Sequence, residues 1–370
     1  MHTLEEIIKL YDTNKAKYLE EISTYEKTII DVPELYRRDQ LINKISEEKQ
    51  LELMCCGEHE FRTQTVIEDL MNGLTDEEVD LIKEVNTKIF ENNFNWKKRL
   101  VPKSSIIRHL YQRRLFKNNF RKNLYVLEIG PGSGYLGLFL QKLGHTVLSH
   151  EIYQPYYMYQ YWLYNCFNII NETCVDEKFS IIGNKINHLP WQHYFKIAMI
   201  KDIKIDVVVI NHAFCELNKY ARAYLLKIIK EKNCKLFMEH LGSGVLFSHR
   251  DAIKILRENG LICKKKGDSR RDAENYYIFE KKNLIEKSST NKNIIKKFFL
   301  KIVNILELNE TINYFQDISN NIIREILFLI NKLTKKKVKN KYNFDDIENI
   351  YINNKWNNFS ANEEFLNKLK

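Results

Sequence analysis

A glycine-rich stretch between a predicted strand and a predicted helix constrains the fold of this chain more than any other feature. The stretch reads LEIGPGSGYLG and covers residues 127–137. An apolar run predicts a strand that ends at Ile129, and a helix is expected to begin near Gly134. Alternating glycines let the backbone turn tightly and approach a ligand without a Cβ atom in the way. The stretch therefore predicts a ligand-binding turn within an α/β fold.

Short β-rich runs alternate with helix-length stretches over residues 123–283. The predicted strands are Leu124–Ile129, Thr146–Glu151, Phe179–Ile182, Ile205–Ile210, Lys235–Glu239, Leu261–Lys265 and Tyr276–Glu280. Such alternation is typical of a parallel sheet with helices on both faces. Only a short polar stretch separates the last two strands, so we expect them to pair as an antiparallel hairpin. The pattern predicts a doubly wound α/β domain.

Helical patterns flank this domain on both sides. Residues 1–122 are predicted to form a helical N-terminal segment, with capping-box helix starts at Thr3 and Thr75. Residues 284–370 form an extension rich in Lys, Asn and Ile, in which two apolar stripes predict amphipathic helices. We expect these helices to pack on the domain or to join two copies in a homo-oligomer. A weak contact with a membrane surface is the alternative.

The composition limits which cellular compartment and which binding partners are expected for this chain. The chain has no apolar run of transmembrane length and no signal-peptide pattern at its start, so a cytoplasmic protein is expected. Its seven cysteines are odd in number and form no C-x-x-C pair, which argues against a disulfide framework and a zinc site. The net charge of +10 suits solvated helix faces or an anionic small substrate. Because no nucleic-acid-binding module is recognisable, nucleic acid is not an expected partner.

The glycine-rich stretch fits two kinds of ligand. Gly132, Gly134 and Gly137 match the G-x-G-x-x-G fingerprint of dinucleotide-binding enzymes. Glu151 lies at about the spacing of the acid that binds ribose in those enzymes. Glu128 counts against a dinucleotide, because the end of that strand normally carries only apolar residues. A carboxylate there suits a ligand with a cationic amino group.

Gly130 completes the spacing E-x-G-x-G-x-G, which resembles the first motif of class I S-adenosylmethionine-dependent methyltransferases. The resemblance implies a Rossmann-like class I sheet, mostly parallel with a C-terminal antiparallel hairpin, and S-adenosyl-L-methionine as the cofactor. Glu151, at a strand end, is placed to accept both ribose hydroxyls. The resemblance assigns the adenine amino group to Asn184. The expected cofactor contacts are Glu128, Gly130, Gly132, Ser133, Gly134, Glu151, Ile152, Asn184 and Asn211.

The candidate catalytic residues follow the fourth predicted strand. The continuous apolar run Ile205–Ile210 predicts a strand buried on both faces, whose carboxyl end meets the ligand. His212 is the expected general base, because an alcohol is a poor nucleophile at neutral pH. Glu216 is expected to orient His212 or to act as the base itself. Packing against the cofactor is the alternative for His212, and without a third ligand nearby no metal is expected.

Three further phrases narrow the family. They are YQPYY after Glu151, HLPW after the third predicted strand, and DVVVINHAFCELN around His212. Together with LEIGPGSGYLG, they resemble the bacterial sugar O-methyltransferases over roughly residues 120–250. The resemblance implies methyl transfer to a hydroxyl of a nucleotide-activated sugar or a surface-polysaccharide precursor. It also implies that the N-terminal segment covers the acceptor.

Aromatic, basic and histidine side chains are the expected substrate contacts. Aromatic rings after Glu151 suit stacking on a sugar, and Glu239 or His240 is expected to face the site. A basic helix over residues 104–119 is expected to hold a phosphate or carboxylate, or else to be solvated. The expected substrate contacts are Tyr153, Tyr156, Tyr157, Arg108, His188, Trp191 and His240.

Three other functions stay open at this point. The same fold could methylate RNA or protein, which the basic balance would suit. The chain could be a non-catalytic S-adenosylmethionine-binding partner in an assembly, joined through its C-terminal helices. An enzyme that uses NAD is the last alternative, and the cofactor that binds would distinguish it.

Overall fold

The computed structural model describes residues 3–29, 42–55, 73–96, 99–171, 180–189, 197, 203–239, 241, 247–267, 276–281 and 344–358. All of them belong to one unit, which comprises residues 1–281 and 340–370. A second unit, residues 282–339, lies outside the described residues. Both predicted amphipathic stripes of the extension fall there.

Strands and helices alternate as the sequence predicts. The strands are β1 Leu100–Val101, β2 Tyr125–Ile129, β3 Thr146–His150, β4 Ile186–Leu189, β5 Val207–Val209, β6 Lys235–Met238, β7 Leu261–Gly267, β8 Tyr276–Lys281 and β9 Asn357–Asn358. The helices are α1 Leu4–Glu21, α2 Thr24–Ile29, α3 Glu52–Cys55, α4 Asp76–Asn92, α5 Ser104–Asn119, α6 Tyr135–Lys142, α7 Gln154–Cys166, α8 Lys219–Lys232, α9 His249–Glu258 and α10 Phe344–Asn353.

Seven of the described strands form the main sheet, in the order β4-β3-β2-β5-β6-β8-β7. Strands β2 to β6 run parallel, whereas β8 pairs antiparallel with both β6 and β7. This mostly parallel sheet with an antiparallel C-terminal pair is the Rossmann-like class I methyltransferase architecture, so the predicted fold class is confirmed. The order reverses between β2 and β5, and open α/β sheets bind ligands outside the carboxyl ends of strands at such a point.

The N-terminal helices begin where the sequence predicts, because their caps satisfy backbone N–H groups that the first turn leaves free. Thr3 Oγ1 accepts from the Glu6 amide at 3.2 Å, and the Glu6 carboxylate accepts from the Thr3 amide at 2.8 Å. Thr75 and Glu78 form the same capping box at the start of α4. Both predicted helix starts are therefore confirmed.

Two apolar cores lie in the sheet unit. One contains α7 and the N-terminal helices, with Ile7, Val79 and Ile106 in the same cluster as Tyr157. The other contains α8 and α9, with Leu225 among its buried residues. The N-terminal helices thus share a core with the sheet.

The third predicted strand, Phe179–Ile182, is wrong. The strand is Ile186–Leu189, with Ile186 paired to Val147. Residues 180–182 form a loop instead, and the Asn187 Oδ1 atom accepts a hydrogen bond from the Ile182 amide at 2.8 Å. The run FSII at 179–182 is more apolar than the true strand INHL at 186–189, so the apolar pattern favours the wrong run. Pairing with the neighbouring strand selects residues 186–189.

The described part of the C-terminal extension packs on the N-terminal helices. Asn86 Nδ2 of α4 donates to Tyr351 Oη of α10 at 2.6 Å, and β9 pairs parallel with β1. The division into segments 1–122, 123–283 and 284–370 stays a prediction. Among the helices described, none combines the length and the apolar character that a membrane crossing requires.

Candidate active site at the carboxyl edge of the sheet

The glycine loop forms a cradle between β2 and α6. Gly130, Gly132 and Gly134 all have positive φ, at 62°, 59° and 79°, a conformation that is costly for residues with a Cβ. A Cβ built on Gly132 would meet no atom within 4 Å, so there is open room over this position. Gln160 Nε2 of α7 donates to the Gly132 carbonyl at 2.5 Å and fixes the loop from the other side.

Glu151, directly after β3, lies against this loop. Its carboxylate accepts hydrogen bonds from the amides of Tyr153 at 2.9 Å and Gly132 at 3.3 Å. Burial raises the pKa of Glu151 to about 7, although these hydrogen bonds act to lower it. The predicted ribose acid therefore reaches the glycine loop, while the next residue, Ile152, packs against the core.

Glu128, at the end of β2, is a second buried carboxylate in the cradle. A Cβ on Gly137 would lie 2.7 Å from Glu128 Oε2, so the Glu128 carboxylate lies directly over this turn of α6 and would have to shift for any larger residue. Oε2 is buried and has no hydrogen-bond partner among the described residues. Burial first, and the neighbouring Glu151 second, raise the pKa of Glu128 to about 8. Two carboxyl groups that are both buried from water favour a ligand with a positive charge.

Asn211 and His212 extend the cradle from the end of β5. Gly130 lies beside this loop, since its Cβ would come 3.5 Å from the Cβ of Ala213. Asn211 Oδ1 accepts from the Glu239 amide at 2.8 Å, whereas its buried Nδ2 has no partner within the described ranges. His212 takes a positive φ of 59°. The predicted catalytic loop therefore borders the predicted cofactor loop.

Two buried side chains, Arg108 and Glu239, contact one nitrogen of His212. Its Nε2 lies 2.8 Å from Glu239 Oε2 and 2.6 Å from Arg108 Nη2. Arg108 Nη2 also contacts both carboxylate oxygens of Glu239, at 2.9 and 3.0 Å, and Gln112 Nε2 donates to Oε2 at 2.9 Å. Burial would raise the pKa of Glu239, but Arg108 and then His212 outweigh it and hold that pKa well below its usual range.

The sequence pointed to Glu216 as the partner of His212, and the carboxylate at Nε2 is instead Glu239. Residues 212–216 form a turn rather than a helix, so the i to i+4 spacing does not stack the two side chains. The role of Glu216 stays a prediction. The sequence does not predict Gln112 as a residue of the site. Its contact with Glu239 joins positions 127 apart in the chain, so no local sequence pattern indicates it.

Residues 42–55, which we call the strap, lie across the rim of the cradle. Gln154 at the start of α7 holds the Ile45 backbone by two hydrogen bonds, at 2.8 and 2.9 Å. Ser133 Oγ donates to the Met54 carbonyl at 2.9 Å, and Tyr135 Oη donates to the Cys55 carbonyl at 2.5 Å. The Ser133 hydroxyl is therefore engaged by the strap, and its predicted cofactor contact stays a prediction.

The predicted substrate-binding rings of α7 are buried. Tyr157 stacks on His188 with ring centroids 4.0 Å apart, and neither ring is accessible. Burial lowers the pKa of His188 to about 3. Tyr153 donates through Oη to the Ile42 carbonyl of the strap, and Tyr156 packs 5.9 Å from its ring. This burial favours packing roles, and the substrate contacts stay predictions. Trp191 and His240 lie outside the described residues.

Asn184 lies at the wrong end of the sheet for the adenine contact that the resemblance implied. Its amide donates to Thr146 Oγ1, on the first residue of β3, at 2.8 Å. Because β3 and β4 run parallel, Asn184 is at their amino ends, opposite the cradle. The error follows from the misplaced third strand, whose true carboxyl end is Leu189.

The arginines of the basic helix α5 pair with carboxylates of the same chain, and the contact of Arg108 with a substrate anion stays a prediction. Arg113 pairs with Glu77, and Arg114 donates to Glu78 at 2.6 and 2.8 Å. Arg108 is 2% exposed and pairs with Glu239. Within the described ranges, no three His, Cys, Asp or Glu side chains come together as metal ligands.

Comparisons with known proteins concern the fold. No protein-family model matches the chain, and no curated protein matches it. Similar solved structures include a TehB-like SAM-dependent methyltransferase from Corynebacterium glutamicum, with 16% identity over 46% of this chain and 87% of that chain and a TM-score of 0.35. A SAM-dependent methyltransferase from Aquifex aeolicus has 12% identity over 55% and 96%, with a TM-score of 0.34. At these values no statement about function rests on the likeness.

Proposed function

We propose that this chain transfers the methyl group of S-adenosyl-L-methionine to a hydroxyl of a sugar. One observation carries the proposal. The glycine loop leaves open room over Gly132, whose amide bonds to the buried carboxylate of Glu151, at the sheet edge where His212 lies. Sulfonium and amino groups give S-adenosylmethionine the positive charge that such a cradle suits.

The chain's own residues fit this cofactor. Gly132 brings backbone close to the ligand without a Cβ, and Glu151 at the end of β3 is placed for the ribose hydroxyls. Glu128 Oε2 and Asn211 Nδ2, both buried without partners among the described residues, are an acceptor and a donor for its amino-acid end. Each would gain the hydrogen bond that a buried polar group requires.

When bound, the cofactor supplies a methyl group that its sulfonium already activates. The chain must then align the acceptor hydroxyl and remove its proton. His212 borders the cradle through its neighbour Asn211, and its side chain is 22% exposed, so a substrate can reach it. We assign the proton to its imidazole ring.

A sugar acceptor is supported by the resemblance to sugar O-methyltransferases and by the chemistry of the site. A hydroxyl needs the general base that His212 offers, whereas a more acidic acceptor does not. The net charge of +10 favours an anionic acceptor such as a nucleotide-linked sugar. Methylation of RNA or protein remains the competing outcome of the test below.

Transfer of labelled methyl groups to nucleotide sugars, polysaccharide precursors, RNA and protein extracts tests the proposal. We expect label in a sugar fraction, and a loss of about 10²- to 10⁴-fold in kcat for His212→Ala, the usual contribution of a general base. His249→Ala, which removes an exposed histidine at the start of α9, is the matched control and should keep full activity. Label in RNA or protein alone would contradict the sugar acceptor, and full activity of His212→Ala would contradict its role.

A further inference from the structure

The backbone of Gly132 is held on both sides by buried side chains from other parts of the chain. Its amide donates to Glu151 Oε2 at 3.3 Å, and its carbonyl accepts from Gln160 Nε2 at 2.5 Å. The side-chain amide of Gln160 also forms a hydrogen bond with the Glu151 carboxylate. One residue of α7 therefore contacts both the glycine that has open room above it and the acid expected to bind ribose.

A second buried side chain fixes the orientation of the Gln160 amide. A backbone carbonyl can only accept a hydrogen bond, so the Gln160 atom at Gly132 is Nε2 and the other is Oε1. His188 Nε2 lies 2.9 Å from this Oε1, and Ser149 Oγ donates to the same oxygen at 3.4 Å. Burial lowers the pKa of His188 to about 3, so the ring is neutral and carries one N–H. Because Oε1 can only accept, that hydrogen is on Nε2.

The carbon atoms of Gln160 also pack against the glycine loop. A Cβ on Gly134 would lie 2.7 Å from Gln160 Cγ and 2.5 Å from Tyr164 Oη. Tyr164, one turn further along α7, donates to the Gly134 carbonyl at 3.1 Å. The side chains of Gln160, Tyr164 and His188 are all fully buried. The glycine loop therefore packs directly on α7, and two neighbouring side chains of this helix bond to its carbonyl groups.

We propose that Gln160, oriented by His188, is a positioning residue that holds the Gly132 backbone and the Glu151 carboxylate in the relative geometry that binds S-adenosylmethionine. This deepens the proposed function and rests on it. A primary amide has two N–H groups, and Gln160 gives them to Gly132 and Glu151. It therefore acts on the cofactor through these two residues. Groups held in their binding geometry before the ligand arrives cost less to order when it binds.

Cofactor affinity and turnover together separate this role from a general effect on stability. We expect Gln160→Leu to raise the Kd of S-adenosylmethionine about tenfold or more, because two hydrogen bonds that hold the site are lost. At saturating cofactor, kcat should stay within about threefold of the wild-type value. Asn86→Leu is the matched control, since Asn86 is a fully buried amide on α4 that bonds to Tyr351 of α10. It should lower Tm and leave the Kd unchanged, and an equal rise in Kd in both variants would overturn the inference.

Two substitutions of His188 supply a second test. His188→Leu removes the donor to Gln160 Oε1, whereas the amide that His188→Gln introduces can still donate to it. We expect the Kd of S-adenosylmethionine to rise about threefold or more in His188→Leu and to stay near the wild-type value in His188→Gln. This pair decides even if Gln160→Leu does not fold. Equal Kd values in the two variants would contradict the orienting role of His188.

Hydrogen exchange of the Gly132 amide, measured without any ligand, distinguishes the inference from the proposed function. This amide is bonded to Glu151, so it should exchange about tenfold faster in Gln160→Leu and at the wild-type rate in Asn86→Leu. Unchanged exchange in Gln160→Leu would overturn the inference. If the wild-type protein binds no S-adenosylmethionine, the proposed function fails, and the exchange rates still decide whether Gln160 fixes the loop.

Discussion

At the scale of single residues, two equally buried carboxylates of the site have pKa values that are shifted in opposite directions. Glu128 has no cation beside it among the described residues, and its pKa rises to about 8. Glu239 is equally buried, but Arg108 and His212 hold its pKa well below the usual range. Two acids with raised pKa values, Glu128 and Glu151, therefore lie beside a carboxylate with a lowered pKa, Glu239.

Glu128→Gln should stabilise the protein at high pH. The pKa of Glu128 in the folded protein is above its value of about 4.3 in an unfolded chain, so folding binds a proton and stability falls as pH rises from about 4 to about 8. Glutamine has no proton to lose. Urea denaturation should show a gain of roughly 3 kcal/mol at pH 8 and little change at pH 4.

The exposed Glu258 of α9 offers the control for this substitution. Glu258→Gln should change the free energy of unfolding by less than about 0.5 kcal/mol at either pH, as expected for an exposed side chain. A gain for Glu128→Gln that is larger at pH 4 than at pH 8 would contradict the assignment.

The residues of the cradle were predictable, whereas the partner of His212 was not. Glycines and acids at strand ends are a local pattern, and Glu128, Gly132 and Glu151 lie together as that pattern implies. Arg108 and Glu239 are 131 positions apart, so only the folded chain brings them together. One sequence feature does indicate Glu239 as a candidate site residue, since it is an acid at the end of a predicted buried strand.

At the scale of elements, α5 is fastened to both α4 and the sheet. Arg113 and Arg114 pair with Glu77 and Glu78 of α4, while Arg108 reaches Glu239 at the end of β6. The helix therefore links the N-terminal segment to the end of β6 beside His212.

Glu78→Gln should destabilise the protein, with a pH dependence opposite to that of Glu128→Gln. Burial acts to raise the pKa of Glu78, but hydrogen bonds from Arg114 and Thr75 outweigh it and lower that pKa. The stability that results is present above about pH 4 and is lost as pH falls. We expect a loss of about 2 kcal/mol at pH 7 in urea denaturation, shrinking towards pH 3. Equal losses at both pH values would count against the ion pair.

Gln154→Leu should loosen the strap. The substitution removes both side-chain bonds to the Ile45 backbone, each worth about 1 kcal/mol. Hydrogen exchange at the Ile45 amide should then become about tenfold faster or more. Gln141→Leu removes one exposed bond to the Asn184 carbonyl and should leave that amide unchanged. Unchanged exchange in Gln154→Leu would show that the strap is held by other contacts.

Element order was predictable from apolar periodicity, and one strand was not. The wrong strand, Phe179–Ile182, is the more apolar of the two short runs, whereas the true one, Ile186–Leu189, contains Asn187 and His188. Pairing with β3 and the side chain of Asn187 select the second, and both are tertiary effects. Because the predicted strand was wrong, the predicted position of Asn184 at a carboxyl end of the sheet was wrong as well.

At the scale of the whole molecule, the class I architecture brings the glycine loop, both cradle acids and the loop of Asn211 and His212 to one edge of the sheet. The strap and α5 close this edge from the N-terminal side. The central claim is that the edge binds S-adenosylmethionine, and Gly132 allows it to be tested with a closely matched control.

Gly132 and Gly260 have positive φ values of 59° and 78°, and a Cβ at either would meet no atom within 4 Å. Alanine should therefore cost each about 1–2 kcal/mol of backbone strain. Only Gly132 faces the room that the cofactor would occupy, whereas Gly260 lies between α9 and β7. The two substitutions thus separate cofactor binding from strain.

Thermal unfolding with S-adenosylmethionine, S-adenosylhomocysteine, NAD and NADP is the most direct test. A ligand at about a hundred times its Kd adds about 2.7 kcal/mol of stability, which visibly raises Tm. We predict that the first two ligands raise the Tm of the wild-type protein and of Gly260→Ala, and that Gly132→Ala loses most of this rise. A rise with NAD or NADP alone, or equal responses of the two alanine variants, would contradict the account.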